Sequence, residues 1–275
     1  MAFVAMGLGL AGCKGKTTTD LATEPAADLG IQQVVVKIQG LEYLKDDDST
    51  VTLEFGDEEQ VDLTDFFNGN TIRLFTDETL SDGHYVGVRL LLDTEDDDAY
   101  VLDANSAKQT LAITTGGYAA IDFTSDKSST STNKQSLTLT LDLRQSLSVD
   151  DSSDYELQPV LRSVETDKAG ALQGAVTATC ASTGDAAVYL FEGEDDTPDD
   201  IDGQAAEPYA TVPVTYNSTT GTGSYVARFL PAATYTVAIA CSGDEDIPTT
   251  DDDVDFRDPI NIEIEESKTT TKDLT

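Results

Sequence analysis

One histidine, three cysteines and 52 acidic residues carry most of the chemistry open to this 275-residue chain. Nucleophilic catalysis by serine or cysteine needs a base beside the nucleophile. The sole imidazole is His84, which follows Asp82-Gly83 at the start of a strand-like run. That setting suits a strand-end surface histidine better than a general base. Two facing carboxylates could hydrolyse a glycoside. Yet the chain has no tryptophan to build the flat platforms that sugar clefts use. A glycine-rich phosphate loop, a dinucleotide fingerprint and zinc-ligand spacing are all missing. The residues predict a protein that is not an enzyme, with an Asp/Glu-dependent hydrolase as the least supported reading.

The acidic residues come in runs: 46–48, 93–98, 192–202, 244–246 and 251–253. Calcium takes six to eight oxygen ligands from carboxylates and carbonyls, and such runs can supply them. The densest run offers Asp195, Asp196, Asp199, Asp200 and Asp202 ahead of Gly203. Setting Gly203 at the sixth position of an EF-hand loop puts Pro198 at the first ligand and Tyr209 at the twelfth, so that motif fails. A looser calcium loop and a solvated acidic loop both remain open, and no other cofactor is expected. The formal net charge of −36 excludes nucleic acid as a partner, because that affinity rests on Lys and Arg neutralising phosphate. It suits a saline environment and a marine or salt-tolerant host, or a surface for a basic partner.

Cys13 ends the run Leu10-Ala11-Gly12-Cys13, behind the apolar stretch 2–10. A small-residue site closed by cysteine is what a lipoprotein signal peptidase reads, so Cys13 is the expected lipidation site. No Lys or Arg precedes the apolar stretch, whereas a signal peptide carries a basic n-region. The expected explanation is a start codon further upstream. The competing reading is an apolar N-terminal strand or core helix with a buried thiol, which Gly7, Gly9 and Gly12 disfavour. Lys14 rather than aspartate follows the cysteine, which points to the outer membrane of a Gram-negative envelope. The other two cysteines, Cys180 and Cys241, lie near the ends of strand-like runs. In an oxidising compartment they are expected to pair, with buried free thiols as the alternative.

The elements that must position these residues are strands. Residues 1–12 read as a truncated signal peptide and 13–29 as a polar tether without periodicity. From Ile31, alternation dominates: 51–55, 137–143, 175–180 and 224–229 each send apolar side chains to one face. The run 85–92 is more continuously apolar, as in a strand covered on both faces. Residues 61–74 are the best candidate for a short helix or turn, and Pro159 marks an edge or bulge. Turn signals every 8–12 residues predict an all-β chain with two antiparallel β-sandwich domains, spanning 30–166 and 167–275.

Two resemblances follow from particular segments. The corner Phe229-Leu230-Pro231-Ala232-Ala233-Thr234-Tyr235-Thr236-Val237 resembles transthyretin-like, carboxypeptidase-regulatory sandwiches, which implies that fold for the C-terminal domain and no chemistry. Across both halves, 83–90, 141–147, 157–162, 188–193 and 197–201 resemble a family of bacterial exported lipoproteins, the domain of unknown function 4382 family. That resemblance implies a lipid-anchored envelope protein with β-sandwich domains, and the whole reading is of a non-catalytic protein with a binding or structural role whose protein or glycan partner the sequence does not name. A calcium-stabilised adhesion or carbohydrate-binding module is the alternative. The family supplies no catalytic or binding residues. Within its pattern Arg89, Arg144 and Arg162 sit in or beside apolar strands, and either structural ion pairs or an anion site would explain them.

Overall fold

A computed structural model describes residues 15–26, 30–94, 99–125, 134–149, 154–177, 179–182, 185–204, 206–248 and 250–275. The signal segment and Cys13 lie outside the described residues. So do residues 95–98 of one acidic run.

The first sandwich contains β1 (Lys16–Glu24), β2 (Gln33–Lys45), β3 (Thr50–Asp62), β4 (Ile72–Thr79), β5 (Gly83–Leu92), β6 (Tyr100–Leu102), β7 (Lys108–Ile113), β8 (Ala119–Ser125), β9 (Lys134–Asp142), β10 (Leu147–Val149), β11 (Tyr155–Leu157) and β12 (Leu161–Glu165). A single helical turn, α1 (Leu143–Ser146), follows β9. A 3-10 turn at Leu63–Gly69 occupies the segment predicted to be a short helix or turn. One sheet runs β12-β9-β1-β4, and the other β10-β11-β7-β6-β2-β5-β8 with β3 on β2. The thirteen residues of β2 serve three partners: Gln33–Val35 pairs with β6, and the rest with β3 and β5. Both registers slip between Ile38 and Gly40, where a Cβ on Gly40 would collide with the Leu53 carbonyl. A glycine is therefore required at that bulge.

Residues 16–24 of the expected tether are a strand. β1 lies inside its sheet, antiparallel to β4 and parallel to β9 over all nine residues, from Lys16↔Lys134 to Glu24↔Asp142. Its composition hides this, because the positions facing the core are Thr17, Thr19, Leu21 and Thr23, mostly threonines. Their hydroxyls are satisfied inside. Thr19 Oγ1 lies 2.9 Å from the Tyr43 hydroxyl, and Thr23 Oγ1 donates to the Leu63 carbonyl at 2.5 Å. Buried polar groups with partners cost little, and threonine suits a pleated surface. Another difference concerns β5, which alternates between buried and half-buried residues and is covered fully on one face only.

The second sandwich contains β13 (Gly170–Val176), β14 (Ala187–Glu192), β15 (Ala210–Pro213), β16 (Thr215–Asn217), β17 (Thr222–Leu230), β18 (Thr234–Ala240), β19 (Phe256–Glu263) and β20 (Thr269–Thr271). Its sheets run β16-β17-β13-β20 and β15-β14-β18-β19. Pairing among the described strands is antiparallel except for β1·β9, β7·β11 and β13·β20. Each sandwich has its own apolar core, one built around Tyr43, Tyr85 and Leu139, the other around Tyr225, Tyr235 and Val237. A third cluster of Tyr189, Phe191, Ile201 and Ala240 lies on the opposite face of β14 and β18. Ile201 and Ala206 from the loop after β14 and Val254 from the connection after β18 cover that face, so β14 is buried on both sides and reads as an unbroken apolar run. Cys180 and Cys241 are disulfide-bonded across 61 residues, a loop for which the chain-entropy model gives ~4 kcal/mol.

A strand and a tether respond differently to truncation. Leu21→Ala removes a fully buried side chain from β1 and is expected to destabilise the first sandwich by about 3 kcal/mol in urea unfolding. A change within experimental error would restore the tether.

Candidate functional site

Strand alternation sets up the seam between the sandwiches. On β9, Leu137, Leu139 and Leu141 face the first core, so Thr138, Thr140 and Asp142 face outward. On β1 the outward positions are Asp20, Ala22 and Glu24, and on β12 they include Arg162, the cross-strand partner of Thr140. An outward face this polar would ordinarily meet water. Here Glu24, Thr140, Asp142, Arg144 and Arg162 are all buried, because the second sandwich packs against them.

Three sets of polar contacts cross or line that seam. Arg162 grips Glu24 in a bidentate pair, Nη1 to Oε2 at 2.6 Å and Nη2 to Oε1, and also donates to the Arg228 carbonyl at 3.3 Å. Asp142 caps α1 through the amides of Arg144 and Gln145 and accepts from the Thr211 amide and hydroxyl, each at 3.3 Å. Arg144 donates to the Gly243 carbonyl and, at 3.1 Å, to the Tyr189 hydroxyl, which in turn donates to Asp246 Oδ2. Burial pushes the Glu24 carboxyl up to about 7; Arg162 pulls it down and Asp142 adds to the rise. Burial thus outweighs Arg162 for the Glu24 carboxyl, while Glu24 holds the Arg162 guanidinium above its ordinary value against its own burial.

The acidic loops converge on one point. Asp200, Asp246 and Asp252 each place a carboxylate oxygen within 4.8 Å of the others; the first two are buried and the third half-buried. Asp246 Oδ1 accepts from the Ile201 amide at 3.0 Å, Asp200 Oδ2 accepts from the Asp252 amide, and Asp252 Oδ2 accepts from the Ile247 amide at 2.8 Å. Burial holds the Asp246 carboxyl above the usual range. Of the five aspartates expected to form a calcium loop, only Asp200 joins this group. Asp195 pairs with Asn261, the Asp196 amide bonds Thr236, Asp199 accepts from the next amide, and Asp202 is satisfied by Gln204. Residues adjacent in sequence diverge because the loop turns at each step, while Asp246 and Asp252 arrive from the connection after β18. Sequence reading marked 244–246 and 251–253 as acidic runs but had no means of joining them to Asp200.

The other expected residues are placed plainly. His84 lies between two carboxylates, with Nε2 2.8 Å from Asp122 Oδ1 and Nδ1 3.4 Å from Asp46 Oδ2, and Asp122 leads the rise in its pKa. Both ring nitrogens thus face carboxylates on an exposed surface. Arg89 pairs with Glu42 at 2.6 Å and stacks over Tyr118 at 4.7 Å. Arg89 and Arg162 are ion-paired, whereas the contacts of Arg144 above are to a hydroxyl and a carbonyl. That two of these arginines would meet the other sandwich has no signal in the sequence.

The sequence profile of the DUF4382 family, described as a domain of unknown function, matches residues 14–159, more than half of the chain. A search of curated proteins finds no matching relative. Among solved structures, a leucine-rich repeat protein from Bacteroides thetaiotaomicron is 12% identical with a TM-score of 0.26, over 95% of this chain and 26% of that one. This chain therefore spans about a quarter of that protein's length. The minor pilin GBS52 of Streptococcus agalactiae is 12% identical with a TM-score of 0.21, over 94% of each chain. The major pilin T-13 of Streptococcus pyogenes is 10% identical with a TM-score of 0.18, over 95% of this chain and 97% of that one. These scores fall below those of a shared fold.

The seam yields a pH prediction. A carboxyl raised from about 4.5 to about 7 on folding contributes stability that is present below the lower value and lost as pH rises through the upper one. Unfolding free energy measured from pH 4.5 to 7.5 should therefore fall more steeply with pH in the wild type than in Glu24→Gln. Parallel profiles would show that Glu24 titrates as it does in the unfolded chain.

Proposed function

The chain belongs to the DUF4382 family, and from that footing we propose that it is a non-catalytic, lipid-anchored protein of the bacterial cell envelope with a binding or structural role. The observation that carries the reading is the seam. The buried charged and hydroxyl groups Glu24, Asp142, Arg144, Arg162 and Tyr189 bond to one another or to backbone across the two sandwiches. Groups engaged in this way hold domains in one arrangement. In the same reading the second unit is a transthyretin-like sandwich. The corner between β17 and β18 supports this, since the Tyr235 hydroxyl donates back to the Pro231 carbonyl at 3.1 Å.

Anchoring at Cys13 would constrain the first sandwich closely. Gly15 is already part of the fold: its amide donates to Ser125 Oγ at 3.2 Å and its carbonyl accepts from the Leu80 amide at 3.1 Å. Two residues span at most ~7 Å, so a lipid on Cys13 would seat this end of the sandwich at the bilayer surface. Outer-membrane localisation in a Gram-negative host follows from Lys14 in this reading. Cys13→Ser, expressed behind a complete export signal, should move the protein from the membrane fraction to the soluble periplasmic fraction. A mutant that still sediments with membranes would sink the anchor.

A second reading, a calcium-stabilised adhesion or glycan-binding module, is favoured by the convergence of Asp200, Asp246 and Asp252. The carboxylates would be the ligands, and no other part of the site depends on the ion. Millimolar calcium is expected to raise the melting temperature of the wild type, with the rise abolished in Asp246→Asn at equal ionic strength. No rise in the wild type would leave the three aspartates as a hydrogen-bonded loop clasp.

A further inference from the structure

The seam leaves two enclosed polar atoms without a partner, Thr140 Oγ1 and Arg162 Nε, on residues that are cross-strand neighbours. Folded proteins satisfy nearly all such atoms, with water or a ligand where protein does not serve. Thr140 is 1% exposed and alternates with Leu139 and Leu141, which face the core. Its hydroxyl is therefore directed to the outer side of the sheet. A cavity of about 220 Å³ opens there, bounded by the end of β1, by Asn68 and Gly69, by Thr140, and by Arg228 and Phe229 of the second sandwich. A void of ~150 Å³ is enough to hold benzene, so this one has room for a small organic molecule.

The charge in the cavity is set by one residue. Glu24 lines it, but both its oxygens are held by Arg162. Arg228 lines it as well, and among the described residues its guanidinium has no ion pair or hydrogen bond; only its carbonyl is engaged. An unpaired arginine is conspicuous in a chain with 16 basic and 52 acidic residues. It also lies close against the first sandwich. Gly69 has φ +85°, and a Cβ there would collide with Arg228 Cδ and Nε, so the side chain lies across the backbone of the other sandwich. A planar guanidinium placed this way presents paired donors that match a carboxylate.

We infer that this interdomain cavity binds a small carboxylate, with Arg228 pairing its charge and Thr140 hydrogen-bonding it at the cavity floor. The inference rests on the binding reading above and gives it a ligand class. The carboxylate could belong to a free organic acid or to an acidic sugar of a glycan, and the probes separate the two. The full chain is titrated calorimetrically with sodium malonate, sodium glucuronate and inorganic phosphate against sodium chloride at matched ionic strength. Malonate, glucuronate or both should bind saturably at one site, with affinity falling at least tenfold in Arg228→Gln and several-fold in Thr140→Val. Arg228 is exposed, so its variant keeps the wild-type melting temperature and carries the test even if Thr140→Val folds poorly. Absence of saturable binding by both carboxylates would overturn the proposal. So would binding that survives Arg228→Gln, or phosphate binding as tightly as either carboxylate. None of these outcomes bears on Cys13 fractionation, so the site and the anchor fail separately.

Discussion

A guanidinium and a carboxylate taken out of water must meet each other or cost several kcal/mol apiece. Arg162 and Glu24 meet across 138 residues of chain, and the way they do so shapes the rest of the molecule. Glu24 is in position because β1 runs parallel to β9 in the middle of its sheet. Arg162 is in position because β12 closes the far side of β9. The second sandwich then covers both, and Arg162 also reaches the Arg228 carbonyl on that domain. Removing either side chain would leave the other's hydrogen-bonding groups buried without their partner, so the domain arrangement and the first sheet depend on the same two residues.

A seam built on polar groups is demanding in a way that an apolar one is not. Asp142 takes donors from both sandwiches, and Arg144 links through Tyr189 to Asp246. Asp246 is in turn one of the three converging carboxylates. The acidic loops of the second sandwich are thus connected by hydrogen bonds to α1 of the first. Polar seams also pack less completely than apolar ones. The unpartnered Thr140 hydroxyl with the cavity it lines, and the unpartnered Arg162 Nε one strand away, are where the directional demands of the seam are not met by protein alone.

Much of the fold was legible from alternation. The runs at 51–55, 137–142 and 224–229 are strands with the expected faces inward, and only Leu143 of the longest run leaves its strand to open α1, because one apolar side per strand is a local property. β1 was illegible for a specific reason: the core accepts its threonines by placing the Tyr43 hydroxyl and the Leu63 carbonyl beside them, and those partners lie 24 and 40 residues away. The site was legible only in fragments. The acidic runs were visible, but the grouping of Asp200 with Asp246 and Asp252 depends on two loops folding over one face of β14. Arg89 was readable as an ion-paired residue, whereas the role of Arg144 and Arg162 in joining two domains was not.

The sequence by itself determined composition, charge, strand periodicity, the cysteines that pair and the family to which the chain belongs. These are properties of single residues or of short windows. Tertiary structure alone decided that residues 16–24 are a buried strand, which three aspartates meet, which arginine is unpaired among the described residues and where a cavity opens. Each of those depends on partners from distant segments, and the energy of a buried polar group is set by its partner rather than by its neighbours in the chain.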